Sequence, residues 1–221
     1  MKGRIKISCS LWSANLADLG SSLKNVERYS DSFHFDIMDG HYVPNLLFGP
    51  DIIKALRPYT SKPFEIHLMV NHPEELIEQF IEVGGDVFIV HPETCMSVKK
   101  TIQLLKTNNK KVGLALRYEN DCNSILEYLP MVDYIVIMGT EIGIKGVSIQ
   151  PNTYQKIRFL SDIIRGNNYC AELQIDGGIR FETVPKLYEH GAHIITAGSL
   201  LFNNDYEDII EWLQCLSVQV V

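Results

Sequence analysis

The sequence predicts an α/β protein that folds as a single (β/α)8 TIM barrel over residues 1–221. Eight short apolar runs recur about 20 to 35 residues apart, and most are continuous rather than alternating, as in parallel strands that are buried on both faces. Amphipathic stretches with helical spacing lie between them. No segment is rich enough in proline, glycine or serine to be a linker. An open doubly wound sheet is the alternative, and the barrel is favoured because such barrels place catalytic groups at carboxyl strand ends.

The predicted strands follow one another along the whole chain, and several end in polar residues. Their apolar and β-branched composition predicts burial. In chain order they are residues 5–12, 33–38, 64–70, 87–91, 112–116, 134–138, 171–175 and 194–197.

The helices are predicted from apolar residues spaced three and four apart. Pro73 suits the first turn of one of them, since proline is tolerated where no helical N–H bond is needed. Three stripes are formed by Leu76, Ile77, Phe80, Ile81 and Val83, by Val184, Leu187 and Tyr188, and by Ile209, Ile210, Trp212, Leu213 and Leu216.

Composition narrows the class of protein. Apolar residues make up 46% of the chain, enough for a sizeable core, and the net charge of −7 argues against nucleic acid as a partner. Five cysteines without a Cys-x-x-Cys spacing are expected to be reduced thiols, as in a cytoplasmic protein. The sequence has no signal-peptide pattern and no apolar run of about 18 residues. We therefore expect a protein that is neither secreted nor inserted in a membrane.

Four ionisable residues stand out within otherwise apolar strands: His34, Asp36, His67 and Asp176. His34 and Asp36 are two positions apart, so on a strand they point to the same side. Burying such groups singly costs several kcal/mol. One shared cation explains all four together, and imidazole with carboxylate suits a divalent metal such as zinc. The two carboxylates would also serve proton abstraction beside a carbonyl.

Glycine-containing strand ends predict where a phosphate binds. Gly177 and Gly178 follow the seventh strand, and Gly198 and Ser199 follow the eighth. Barrels often bind phosphate through backbone amides of these two loops. Gly177, Gly178, Gly198 and Ser199 are therefore candidate phosphate ligands.

Two further segments have less specific patterns. Residues 138–146 contain three glycines and suggest a mobile lid, or else an ordinary flexible loop. Lys145 within it either adds charge toward a phosphate or is solvated. His91-Pro-Glu93 either orients a metal-bound histidine or is a turn that ends the fourth strand.

Together these motifs resemble the ribulose-phosphate 3-epimerase family. The resemblance runs in order from the first strand to the eighth and so covers nearly the whole chain. The matching stretches are residues 7–14 (ISCSLWSA), 34–45 (HFDIMDGHYVPN), 65–70 (EIHLMV), 91–93 (HPE), 174–179 (QIDGGI) and 197–202 (AGSLLF).

The resemblance implies metal-dependent epimerisation at carbon 3 of a ketose phosphate through an enediolate, with D-ribulose 5-phosphate and D-xylulose 5-phosphate as the default pair. Asp36 and Asp176 would be the two acid/base groups. It also implies one divalent ion (zinc, with iron, manganese or cobalt as alternatives), a cytoplasmic location and a homo-oligomer. The metal ligands would be His34, Asp36, His67 and Asp176. The substrate-binding residues would be Ser8, Met38, His67, Met69, Gly143, Gly146, Gly177, Gly178, Gly198 and Ser199.

The lid departs from the family pattern, which reads roughly Met-Thr-Val-Glu/Asp-Pro-Gly-Phe-Gly-Gly-Gln. Glu141, Gly143 and Gly146 match, but the proline, phenylalanine and glutamine have no counterpart. Two alternatives therefore stay open: D-allulose 6-phosphate or another ketose phosphate as substrate, and a non-catalytic barrel that binds a sugar phosphate. A metal-free barrel of the orotidine-phosphate decarboxylase type is disfavoured, because its signature needs lysine and aspartate where this chain has Met38 and His41.

Overall fold

A computed structural model describes residues 4–203 together with Ile209 and Trp212. Each of the eight predicted strands is present, and a short ninth strand is added. In chain order the strands are β1 (Lys6–Ser10), β2 (Ser32–Asp39), β3 (Leu46–Leu47), β4 (Phe64–Met69), β5 (Val87–Val90), β6 (Lys111–Leu116), β7 (Tyr134–Met138), β8 (Glu172–Asp176) and β9 (Ile194–Ala197).

Eight of these strands form a closed parallel barrel. Their order is β1-β9-β8-β7-β6-β5-β4-β2, and β1 also pairs with β2, which closes the ring. The short β3 pairs antiparallel with the carboxyl end of β2. The predicted (β/α)8 TIM barrel is therefore confirmed, and the open doubly wound sheet is excluded.

Helices connect the strands on the outside of the barrel. They are α1 (Leu19–Val26), α2 (Pro50–Leu56), α3 (Ile77–Glu82), α4 (Val98–Thr107), α5 (Asn152–Gly166), α6 (Val184–His190) and α7 (Ser199–Phe202).

Two details differ from regular alternation. The β6–β7 connection is a 3-10 helix (Cys122–Met131), with Pro130 next to its last residue. Pro73 lies in a 3-10 turn that precedes α3.

Ile209 and Trp212 are helical, and the remainder of the predicted last helix lies outside the described residues.

The apolar side chains form two clusters. The larger one lies between the strands and the outer helices and contains buried Phe33, Phe35, Phe64, Phe80 and Phe88. The smaller one lies inside the barrel and extends from the start of β5 to the mouth. Its members are Met38, Val43, Met69, Val87, Ile89, Ala115, Val136, Met138 and Ile142.

The barrel interior is apolar on one side and polar on the other, and the candidate site lies on the polar side. Strands β5, β6 and β7 contribute apolar residues to it. The strands on the other side contribute buried polar side chains, namely Ser8, His34, Asp36, Glu65, His67, Gln174 and Thr196. Among the described helices, none is both long and apolar enough to cross a membrane.

Candidate metal centre and active site

Four ionisable side chains converge inside the mouth of the barrel. His34 and Asp36 come from β2, and Asp36 pairs in register with His67 of β4. Asp176 ends β8, which is separated from β2 by two strands. One donor atom from each of the four residues lies within 4.8 Å of all the others. The predicted convergence is thus present in the structure.

The distances within this cluster suit a single cation. Nε2 of His34 lies 3.2 Å from Nδ1 of His67, 3.3 Å from Oδ1 of Asp36 and 3.5 Å from Oδ2 of Asp176. Nδ1 of His67 lies 3.6 Å from the same Asp36 oxygen and 3.5 Å from the same Asp176 oxygen. Tetrahedral bonds of about 2.0–2.2 Å place ligand atoms about 3.3–3.6 Å apart. The residues present therefore fit a divalent metal.

Electrostatics in the cluster favour the charged forms of His34 and Asp36. Burial alone would lower the pKa of His34, but the negative charge and hydrogen bond of Asp36, with Glu65 and Asp176, raise it well above its usual value. Burial alone would raise the pKa of Asp36, but His34 and His67 lower it below the usual range of a carboxyl group. A cation held between the carboxylates would stabilise their buried negative charge in place of the charged histidines.

Above the cluster, a cavity of about 520 Å³ opens at the carboxyl ends of the strands. This volume is in the range of small-molecule sites. Asp36 and Asp176 both reach it, whereas His34 and His67 are fully buried beneath it. Of the predicted substrate-binding residues, those that line the cavity are Met69, Gly143, Gly146, Gly177, Gly178, Gly198 and Ser199.

Close packing explains the two glycines that follow Asp176. Gly177 and Gly178 have φ of +90° and +71°, in the left-handed region that disfavours side chains. A Cβ on Gly177 would lie 2.3 Å from Oγ1 of Thr140, and one on Gly178 would lie 2.6 Å from Cβ of Ile149. The backbone after β8 therefore packs directly against Thr140 of the lid segment, residues 139–147, and against Ile149 just beyond it.

Ser8, a predicted substrate contact, does not line the cavity. Ser8 is fully buried and donates a hydrogen bond to Oε2 of Glu65 at 2.6 Å. Ser10 lines the cavity instead and donates to Oδ2 of Asp36 at 2.9 Å. Both side chains point into the barrel, but Ser10 is two residues nearer the mouth, about 7 Å along the strand. Met38 is also buried, within the apolar cluster at the mouth, rather than at the cavity wall.

Glu65 is a functional candidate that the sequence reasoning missed. Its carboxylate is buried and accepts hydrogen bonds from Ser8, Ser32, His34 and Gln174. The available signal was its position two residues before His67, on the same side of the strand.

His91 lies behind His67, as the metal-orienting alternative for this motif requires. Nε2 of His91 is 3.0 Å from Nε2 of His67, and its Nδ1 is 3.8 Å from Oε1 of Glu93. Burial lowers the pKa of His91 to about 4; His67 acts in the same direction, while Glu93 opposes it. Tyr42 donates to Glu93 at 2.8 Å and holds that carboxylate in place.

The lid segment is docked over the cavity. Ile142 is buried in the apolar cluster with Val43, and Gly143 lies so close to Val43 that a Cβ would approach it to 2.8 Å. Nζ of Lys145 donates to the carbonyl oxygen of Trp12 at 2.6 Å and lies 4.6 Å from the centre of the Trp12 ring. Burial lowers the pKa of Lys145, while Asp36 acts in the opposite direction.

Solved structures share this fold at low sequence identity. The 3-keto-L-gulonate-6-phosphate decarboxylase of Vibrio cholerae superposes with a TM-score of 0.74 at 16% identity, over 99% of this chain and 100% of that one. The 3-hexulose-6-phosphate synthase of Salmonella typhimurium gives 0.71 at 18% identity, over 97% and 99%. At such identities the likeness concerns the barrel alone.

Sequence relatives are more specific. Three proteins named ribulose-phosphate 3-epimerase share about a third or more of their aligned residues with this chain. The one from Buchnera aphidicola of Acyrthosiphon pisum is 37% identical to it, over 91% of this chain and 90% of the relative. Those from Bacillus subtilis and Escherichia coli are 34% identical (90% and 92% covered) and 33% identical (93% and 92% covered). The model of the ribulose-phosphate 3-epimerase family matches residues 6–202, which span the barrel from β1 to α7. This chain therefore belongs to the ribulose-phosphate 3-epimerase family.

Proposed function

We propose that this protein, an isomerase that acts on carbohydrates, interconverts D-ribulose 5-phosphate and D-xylulose 5-phosphate by epimerisation at carbon 3. Membership of the family and the names of its relatives support a ketose-phosphate 3-epimerase. The observation that carries the mechanism is that Asp36 and Asp176 both reach the cavity while both approach the same two histidines.

His34, Asp36, His67 and Asp176 would hold one divalent metal ion. Two nitrogen and two oxygen donors suit zinc first, with iron, manganese or cobalt as the other metals this set accepts. When bound, the ion would act as a Lewis acid that stabilises the negative charge which develops on the substrate's oxygens as the proton leaves.

Asp36 and Asp176 would move the proton. They come from β2 and β8 and so approach the cavity from different sides of the barrel. One carboxylate removes the proton from carbon 3 and the other delivers a proton to the opposite face, which inverts that centre. The hydroxyl of Ser10 holds Oδ2 of Asp36 by a hydrogen bond and so limits the positions that this carboxylate can take.

The other cavity residues would bind the phosphate and exclude water. Gly177, Gly178, Gly198 and Ser199 place backbone amides at the ends of β8 and β9, where barrel enzymes commonly bind phosphate. Gly143 and Gly146 would bring the lid segment close to the sugar. Met69 would provide an apolar wall.

The test is an exchange assay. Ribulose 5-phosphate and a six-carbon ketose phosphate such as allulose 6-phosphate are incubated with the enzyme in deuterium oxide, and deuterium at carbon 3 is followed by NMR. We expect exchange and epimerisation fastest with ribulose 5-phosphate, together with about one metal ion per chain. Faster turnover of the six-carbon substrate would reassign the substrate. Binding without any exchange would support the non-catalytic sugar-phosphate barrel instead.

A cytoplasmic location, a homo-oligomeric state and the absence of a nucleic-acid or membrane partner stay predictions of the sequence. Sedimentation of the purified protein measures the oligomeric state directly.

A further inference from the structure

The carboxylate of Glu65 is held inside the barrel by donors from three other strands, β1, β2 and β8. It is 3% exposed, and Oε1 accepts a hydrogen bond from Ser32 at 2.5 Å. Oε2 accepts from Ser8 at 2.6 Å and from Nε2 of Gln174 at 2.9 Å. Its fourth partner is Nδ1 of His34 at 3.1 Å. A carboxylate with this many donors is kept buried without a cation of its own.

These contacts determine which nitrogen of His34 carries the proton. A carboxylate can only accept, so Nδ1 of His34 must donate to it. In the neutral ring, which is the form that binds a metal, the lone pair is then on Nε2. That is the atom which lies 3.2 to 3.5 Å from the donor atoms of His67, Asp36 and Asp176.

The second histidine of the cluster has a different outer partner. His67 points Nδ1 into the cluster and Nε2 toward Nε2 of His91 at 3.0 Å, an imidazole rather than a carboxylate. Within residues 4–203, Glu65 is thus the carboxylate that holds the outer nitrogen of a candidate ligand histidine within hydrogen-bond distance. Such outer partners fix the orientation and tautomer of metal-bound histidines.

We propose that Glu65 is a positioning residue that fixes the ring and the tautomer of His34, so that Nε2 is presented to the divalent metal. The inference rests on the metal site of the proposed function. Ser8, Ser32 and Gln174 act through Glu65, because their hydrogen bonds hold its carboxylate at the place where His34 needs it.

The test measures metal affinity rather than turnover. Glu65→Gln keeps the shape of the side chain but replaces one acceptor oxygen by an NH2 group among groups that already donate. We expect zinc to bind about 10- to 100-fold more weakly, measured by competition with a chromophoric chelator. Glu74→Gln is the matched control, because Glu74 accepts a hydrogen bond from Thr101 on the outside of the barrel and should leave zinc affinity unchanged.

A second measurement on the wild-type protein does not depend on whether the variant folds. In the zinc-loaded, 15N-histidine-labelled protein, long-range 1H–15N NMR should show the proton of His34 on Nδ1 and the metal on Nε2. Either of two results would overturn the role of Glu65 and leave the metal site intact. One is a proton on Nε2 of His34 in the wild type. The other is a folded Glu65→Gln variant with the zinc affinity of the wild type and an unchanged His34 signal. A wild-type protein that binds no divalent metal would overturn the metal site itself, and with it this inference.

Discussion

Removing the metal should destabilise the whole barrel, because the proposed ligands come from strands that are far apart in sequence. His34 and Asp36 lie on β2, His67 on β4 and Asp176 on β8. The folded state brings their donor atoms within 4.8 Å, whereas the unfolded chain does not hold them together. A ligand that binds only the folded state stabilises it by about 4 kcal/mol when present at about 1,000 times its dissociation constant.

This free energy converts into a shift of the melting temperature. At about 2.1 cal/mol/K per residue, the unfolding entropy of a chain of 221 residues is about 0.46 kcal/mol/K, so about 4 kcal/mol corresponds to about 9 °C. The assay is thermal unfolding followed by circular dichroism, on protein treated with a chelator and on the same protein after zinc is restored.

The Asp176→Asn variant is the control for this experiment, since it weakens one proposed ligand at the rim of the barrel. We expect its melting temperature to respond less to zinc than that of the wild type. A wild-type melting temperature that does not move with zinc, or a shift of equal size in the variant, would refute the reasoning that these side chains share one ion.

Further predictions concern catalysis, the lid and the thiols. Asp36→Asn and Asp176→Asn should each reduce epimerisation about 10²- to 10⁴-fold when metal content is matched; near-normal turnover in a metal-loaded variant would remove that residue from proton transfer. Replacing residues 139–147 by the usual family lid should change the ratio of kcat/KM for ribulose 5-phosphate and a six-carbon ketose phosphate, because this segment lines the cavity. An unchanged ratio would place the discrimination elsewhere. Burial raises the pKa of the Cys9 thiol to about 12, so at pH 8 iodoacetamide should modify exposed Cys170 and spare Cys9, as peptide mass mapping would show; equal labelling would contradict the burial of Cys9.

The barrel and the four clustered residues could both be predicted from the sequence, for related physical reasons. Strands covered on both faces are continuously apolar, so they are visible in the sequence and so are the ionisable residues that interrupt them. The two-residue β3 and the 3-10 helix before β7 were not foreseen. Leu46–Leu47 is too short to show a period, and apolar spacing alone does not separate a 3-10 helix from an α-helix over Cys122–Met131.

How near the mouth of the barrel a side chain lies was harder to predict than whether it points inward or outward. The alternation of a strand tells which residues point inward, and Ser8 and Ser10 share that property, as do Glu65 and His67. Which member of each pair reaches the mouth depends on where the strand begins relative to its neighbours. That register comes from the pairing of all eight strands, which is a property of the closed barrel and not of any one segment.

Closure of the barrel is also what assembles the site. Asp176 on β8 and His34 on β2 are three strand spacings apart, since β9 and β1 lie between them. In an open sheet, spacings of about 4.8 Å would place them about 14 Å from each other across the surface. In the barrel the interior side chains converge, and Oδ2 of Asp176 lies 3.5 Å from Nε2 of His34. The same feature that distinguishes a barrel from a doubly wound sheet thus brings a carboxylate from each side of the cavity to one pair of histidines, and the proposed inversion at carbon 3 would use this arrangement.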